Sequence, residues 1–105
     1  MKCDACGKEC ETFVAASAYG ATSFAYCAEC LANGREPYDA IVGYIACAGH
    51  FPDDINEVYR TDVYKQLKLH GVSEEQFIRD VDISIEEEKK YWQELMKESY
   101  NEAEI

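Results

Sequence analysis

Two Cys-x-x-Cys pairs constrain this chain more than any other feature. Cys3 and Cys6 form the first and Cys27 and Cys30 the second, with twenty residues between Cys6 and Cys27. A Cys-x-x-Cys turn brings two sulfurs to one point, and two such turns at this separation fit a tetrahedral four-thiolate site. Thiolates are soft donors, so the expected metal is zinc, one ion per chain, in a structural role. The chain has 105 residues, and a core that small gains much from a metal staple.

The residues around the pairs set the local structure. Gly7 directly follows Cys6, where a positive φ lets backbone N–H groups turn toward the sulfurs, and glycine adopts it at least cost. Residues 12–18 and 21–27 are uncharged and rich in Phe, Val, Thr, Ser, Tyr and Ala, with Tyr19-Gly20 between them. That pattern predicts a β-hairpin. No glycine follows Cys30. Leu31 and Ala32 favour helix and Asn33-Gly34 stops it, which places Cys27 and Cys30 in the first turn of a short helix.

Four further helices are predicted. Pro37 opens one over about 37–48 that carries Ile41, Val42, Tyr44 and Ile45. Asp53 or Asp54 caps one that runs to about His70, with Ile55, Tyr59, Val63 and Leu67 at i+4 spacing and Gly71 as its stop. Ser73 with Gln76 forms a capping box for a short helix to about Val81. Ser84 with Glu87 forms another, for a helix over 85–102. In that last helix Ile85, Trp92, Leu95, Met96 and Ser99 share a face that Tyr91 and Tyr100 widen. The sum is an α-rich α+β protein with a zinc module over 1–50 and an acidic helical extension over 51–105, packed as one compact unit.

The order knuckle Cys3-Asp-Ala-Cys-Gly7, hairpin, second pair Cys27-Ala-Glu-Cys30 resembles treble-clef and zinc-ribbon domains. The resemblance covers residues 1–34. A ribbon repeats the glycine-bearing knuckle at its second pair, whereas Cys30-Leu-Ala looks like the helix-borne pair of a treble clef. The resemblance implies structural zinc on Cys3, Cys6, Cys27 and Cys30, and it leaves function open. A rubredoxin-like iron site and a disulfide scaffold are the rival readings of the cysteines.

Charge narrows the function classes. The formal net charge is −11, split as −3 over residues 1–50 and −8 over 51–105. No Lys or Arg occurs from residue 9 to 34. Phosphate contacts supply most nucleic-acid affinity and need basic side chains, so nucleic acid and anionic membranes are unfavoured partners. Tyr19, Phe24 and Tyr26 are aromatic candidates for base stacking, but beside a small metal site they fit a core better. The sequence opens directly on the first cysteine pair, so the expectation is a chain without a secretion signal. The longest uncharged apolar stretch, Ala40–Gly49, is half a membrane span. A cytoplasmic location follows, where six cysteines favour metal over disulfides.

No H-E-x-x-H, G-x-S-x-G, phosphate loop or G-x-G-x-x-G occurs, and four thiolates leave a zinc ion no open position. The expectation is a non-catalytic protein, monomer or homodimer, that works through protein–protein contact or regulation. The alternatives are a nucleic-acid-associated or transcription-related zinc protein, and an acidic inhibitor of phage type that occupies a basic groove. Cys10, Cys47 and His50 form a second candidate metal set, with Cys47-Ala-Gly-His50 a C-x-x-H pair. The competing reading makes Cys47 a helix-core thiol and His50 a helix C-terminal residue suited to the dipole. Trp92, Leu95 and Met96 are the candidate partner-binding residues, although docking of their face on the body of the domain is favoured because the zinc module alone offers a poor core.

Overall fold

In the computed structural model, which describes residues 1–103 and the side chains of residues 1–97, the uncharged stretch after the first cysteine pair forms a hairpin. Strand β1 (Phe13–Ala16) runs antiparallel to β2 (Ser23–Tyr26), with Phe13 opposite Tyr26 and Ala16 opposite Ser23. Ser17 N–H closes the connection on the Thr22 carbonyl at 3.0 Å. Helix α1 (Ala28–Asn33) follows at once and ends on Gly34, whose φ of +71° gives the left-handed stop that its sequence announces.

Helices α2 (Tyr38–Ala48), α3 (Glu57–His70) and α4 (Glu74–Ala103) complete a helix-rich α+β fold. Their shared core holds Ile41, Ile45, Val63, Leu67, Phe77 and Val81, with Phe51 and Ile55 contributed by the α2–α3 connection. Tyr19, from the hairpin turn, joins them at 2% exposure. Its ring packs edge-on to Tyr44 and Tyr59, and its hydroxyl donates to the Asp62 carboxylate on α3. A second, smaller cluster surrounds the cysteines and takes in Ala5 and Tyr26.

Segment 34–36 joins the two clusters. Gln66, the one buried polar side chain among the described residues at 2% exposure, donates to the Gly34 carbonyl at 2.7 Å and accepts from Glu36 N–H at 3.0 Å. His70 Nε2 reaches the Glu36 carbonyl at 2.6 Å, and the Arg35 guanidinium donates to the Leu69 carbonyl. The Glu36 carboxylate turns the other way and accepts from Ser17 and Tyr26 hydroxyls at 2.7 and 2.8 Å. The cysteine module is thus hydrogen-bonded to α3 through both sides of one short segment.

Three expectations need correction. Helix α3 is capped by Asn56, whose side chain accepts from Tyr59 N–H at 3.0 Å, and not by Asp53 or Asp54. Asp54 instead accepts from His50 N–H at 2.9 Å within the preceding turn. The helices expected over 73–81 and 85–102 are one. Ser73 caps it, accepting from Gln76 N–H at 3.2 Å, but Ser84 lies in its interior. A capping box is a local pattern, and no Gly or Pro breaks 74–103. Val81 and Ile85, one turn apart, both pack on the core, and the helix runs through between them.

The third correction concerns docking. Every described side chain from Glu86 to Lys97 is exposed, with Trp92 at 52%, Leu95 at 40% and Met96 at 69%. Ser99 and Tyr100 fall outside the described side chains. The reason is length. At 1.5 Å per residue α4 spans about 45 Å and its partner α2 only about 16 Å, so the body ends while the helix continues. The described chain measures 56 × 32 × 20 Å. Truncation after Glu87, which spares Ile85, should therefore shift the melting temperature by less than about 4 °C, as a scan by circular dichroism would show.

Candidate metal centre

The first cysteine pair sits in a tight knuckle that its own backbone closes. Lys2 and Glu9 form an isolated antiparallel bridge, Cys3 N–H donates to the Lys8 carbonyl at 2.9 Å, and Gly7 N–H to the Cys3 carbonyl at 2.8 Å. Gly7 adopts a φ of +78°, as its place after Cys6 requires. Asp4 anchors the knuckle to β2 by a reciprocal pair: its N–H donates to the Ala25 carbonyl, and its carboxylate accepts from Ala25 N–H, each at 2.8 Å.

The second pair opens α1. Cys27 is the N-cap residue, and its sulfur accepts from Cys30 N–H at 3.4 Å. Cys27 N–H in turn points at the Cys3 sulfur at 3.2 Å. The knuckle and the helix terminus thus aim N–H groups at sulfurs as well as bringing the sulfurs together. The ligand atoms of Cys3, Cys6, Cys27 and Cys30 all lie within 4.8 Å of one another, a separation that one ion can bridge. Cys3 and Cys30 are each 1% exposed and Cys27 8%. None of the six cysteines is in a disulfide, and the Cys6–Cys27 sulfur separation of 3.8 Å is far longer than a disulfide bond.

The electrostatics suit anionic sulfur. Burial pushes the Cys3 thiol up, but hydrogen bonds from the Cys27, Cys6 and Ala5 backbone and from the Cys6 side chain outweigh it and bring it down to about 6. Cys27 is lowered as well, chiefly by the Cys30 N–H. Cys30 moves the opposite way, pushed up by burial and by its hydrogen bonds to the neighbouring sulfurs. A dication held among the four would reverse that last effect and favour thiolate at every position. Behind the sulfurs, burial and the bond to Glu36 push the Tyr26 hydroxyl up to about 12, so it stays a neutral donor.

The second candidate set is not brought together. Among the described residues the four cysteines are the one cluster of three or more donors within metal-binding reach. Cys10 packs at the edge of that cluster, its sulfur 3.5 Å from the Lys8 carbonyl, and burial and the nearby sulfurs raise its pKa. Cys47 is exposed on α2, not buried in its core, and lines an open cleft with Tyr44, Asp54 and Tyr59. His50 Nδ1 lies 2.9 Å from the Asp82 carboxylate on α4. Of the aromatic candidates for base stacking, Tyr19 and Tyr26 are buried.

Among the described residues no helix is long and apolar enough to cross a membrane. Comparison with protein-family models, with curated proteins and with solved structures found no match for the chain.

Proposed function

We propose that this is a small zinc-stapled module of treble-clef type, without catalytic activity, that works through contact with another protein. The observation that carries the reading is the gathering of four sulfurs within 4.8 Å between a glycine-bearing knuckle and the first turn of a helix. Four thiolates suit zinc over harder cations, and a site closed by four protein ligands holds structure but leaves no position for water or substrate. The order knuckle, hairpin, helix-borne pair is the treble-clef order. The charge of −11 and the burial of Tyr19 and Tyr26 favour a protein partner over nucleic acid.

Metal analysis of protein purified without added metal tests the reading directly, with one zinc per chain expected. A chain that stays fully folded in strong chelator with all thiols free would sink it. Cys10→Ala should leave the zinc stoichiometry unchanged, because the four-ligand set is complete without Cys10. A lower zinc content in that variant would make Cys10 a ligand.

A further inference from the structure

The apolar stripe that α4 uses to build the core does not stop where the core stops. Leu95 and Met96 lie eighteen residues after Phe77 and Ile78, five full turns at 3.6 residues per turn, and so on the same face. Trp92 lies on this face too, eleven residues after Val81 and seven after Ile85. Phe77, Ile78, Val81 and Ile85 have the body of the domain to pack on, whereas Trp92, Leu95 and Met96 meet solvent. Trp92 and its neighbour Tyr91, 62% exposed, are of the residue types that anchor interfaces.

Charge says what can cover this stripe. Glu88 lies on it, one turn beyond Ile85 and one turn before Trp92, in a shallow groove with Ile85, Lys89, Trp92, Gln93 and Met96. Lys89 is paired with Glu86 at 4.0 Å, and among the described residues Glu88 has no ion pair. Covering Trp92 and Met96 would bury that carboxylate, which is costly unless the covering surface brings a cation. Helix α4 carries ten acidic side chains against four basic ones, in a chain of net charge −11. A second copy would bring the same excess, while a basic partner would be attracted by it.

We infer that the projecting half of α4 is a docking stripe for a basic amphipathic helix of another protein, with an apolar ridge against Trp92, Leu95 and Met96 and a Lys or Arg opposite Glu88. This deepens the proposed protein-contact function and rests on it. The docking mode is two helices packed along one apolar seam, with the charged pair fixing register.

Trp92 is the only tryptophan of the chain, so its emission reports on the stripe. The probes are two synthetic amphipathic peptides of equal length and apolar content, one Leu/Lys and one Leu/Glu, titrated into zinc-replete full-length protein. The Leu/Lys peptide should shift Trp92 emission to the blue and bind more weakly as salt rises, and the Leu/Glu peptide should do neither. Glu88→Lys should weaken Leu/Lys binding at least tenfold, and Glu75→Lys, the same charge change in the first turn of α4, by less than threefold. Unchanged circular dichroism and zinc content in both variants keep the comparison free of folding effects. Equal losses in the two variants, or equal binding of the two peptides, would overturn the assignment. So would sedimentation showing that a second copy already covers Trp92. A defined partner that still binds after truncation at Glu87 would overturn the stripe and leave the protein-contact reading standing. Protein that carries no zinc as purified and still binds the Leu/Lys peptide would instead sink the zinc reading alone.

Discussion

Replacing Cys27 with serine should release the metal and unfold at least the N-terminal third of the chain. Serine is among the best N-cap residues, so the variant keeps a hydrogen-bond acceptor for Cys30 N–H at the start of α1 and removes only the thiolate. The experiment therefore separates the proposed ligation from the capping that the same sulfur provides. Binding free energies of structural zinc sites in small modules run to about 10–16 kcal/mol near neutral pH. The loss of one ligand of four should cost several kcal/mol of that. The check is metal stoichiometry together with the chemical-shift dispersion of residues 1–34. Retained dispersion with the metal lost would mean that the hairpin and knuckle stand without the ion, and retained metal would mean that Cys27 is not a required ligand.

Phe77→Ala should be the most damaging substitution away from the cysteines. Phe77 is fully buried, where α4 crosses the other helices, and its ring packs edge-on against Phe51 at 5.1 Å between centroids and against Tyr38 at 6.2 Å. Truncation removes the buried ring and leaves a cavity that close-packed neighbours fill only in part, at a cost of about 3–5 kcal/mol. Urea titration should show a lower midpoint with the slope little changed. A loss below about 1 kcal/mol would mean that Phe51 and Tyr38 collapse into the space. The contrast with Trp92 is instructive. Both are large aromatic residues of one helix face, and only their distance along the helix separates a core residue from an exposed one.

That contrast also marks what could be read from the chain before its structure. The knuckle, the hairpin, the helix-borne second pair and the starts near Tyr38 and Ser73 were all legible, because each rests on residues within a few positions of one another. Gly7, Gly34 and Ser73 act through their own backbone or the next turn, and local chemistry decides them. Ser84 misled for the same reason. Its S-x-x-E pattern is a valid local cap, but packing of Val81 and Ile85 on a common core overrode it. Long-range partners were not legible. Nothing near Gln66 or His70 in sequence says that they meet the backbone of residues 34–36. Nor does the pattern of α4 reveal where the surface beneath it ends.

The bonds that segment 34–36 makes to Gln66 and His70 on one side, and to Ser17 and Tyr26 on the other, have a thermodynamic consequence. An ion that binds only the folded site raises the stability of everything folding with it by RT ln(1 + [metal]/Kd). Glu36 is hydrogen-bonded to residues of both the cysteine module and α3, so that gain extends to residues that touch no sulfur. With zinc on the four sulfurs, the folded fraction of the helical body would become a function of free metal concentration. Chain abundance would then follow metal supply, since unfolded chains are the ones that proteases remove.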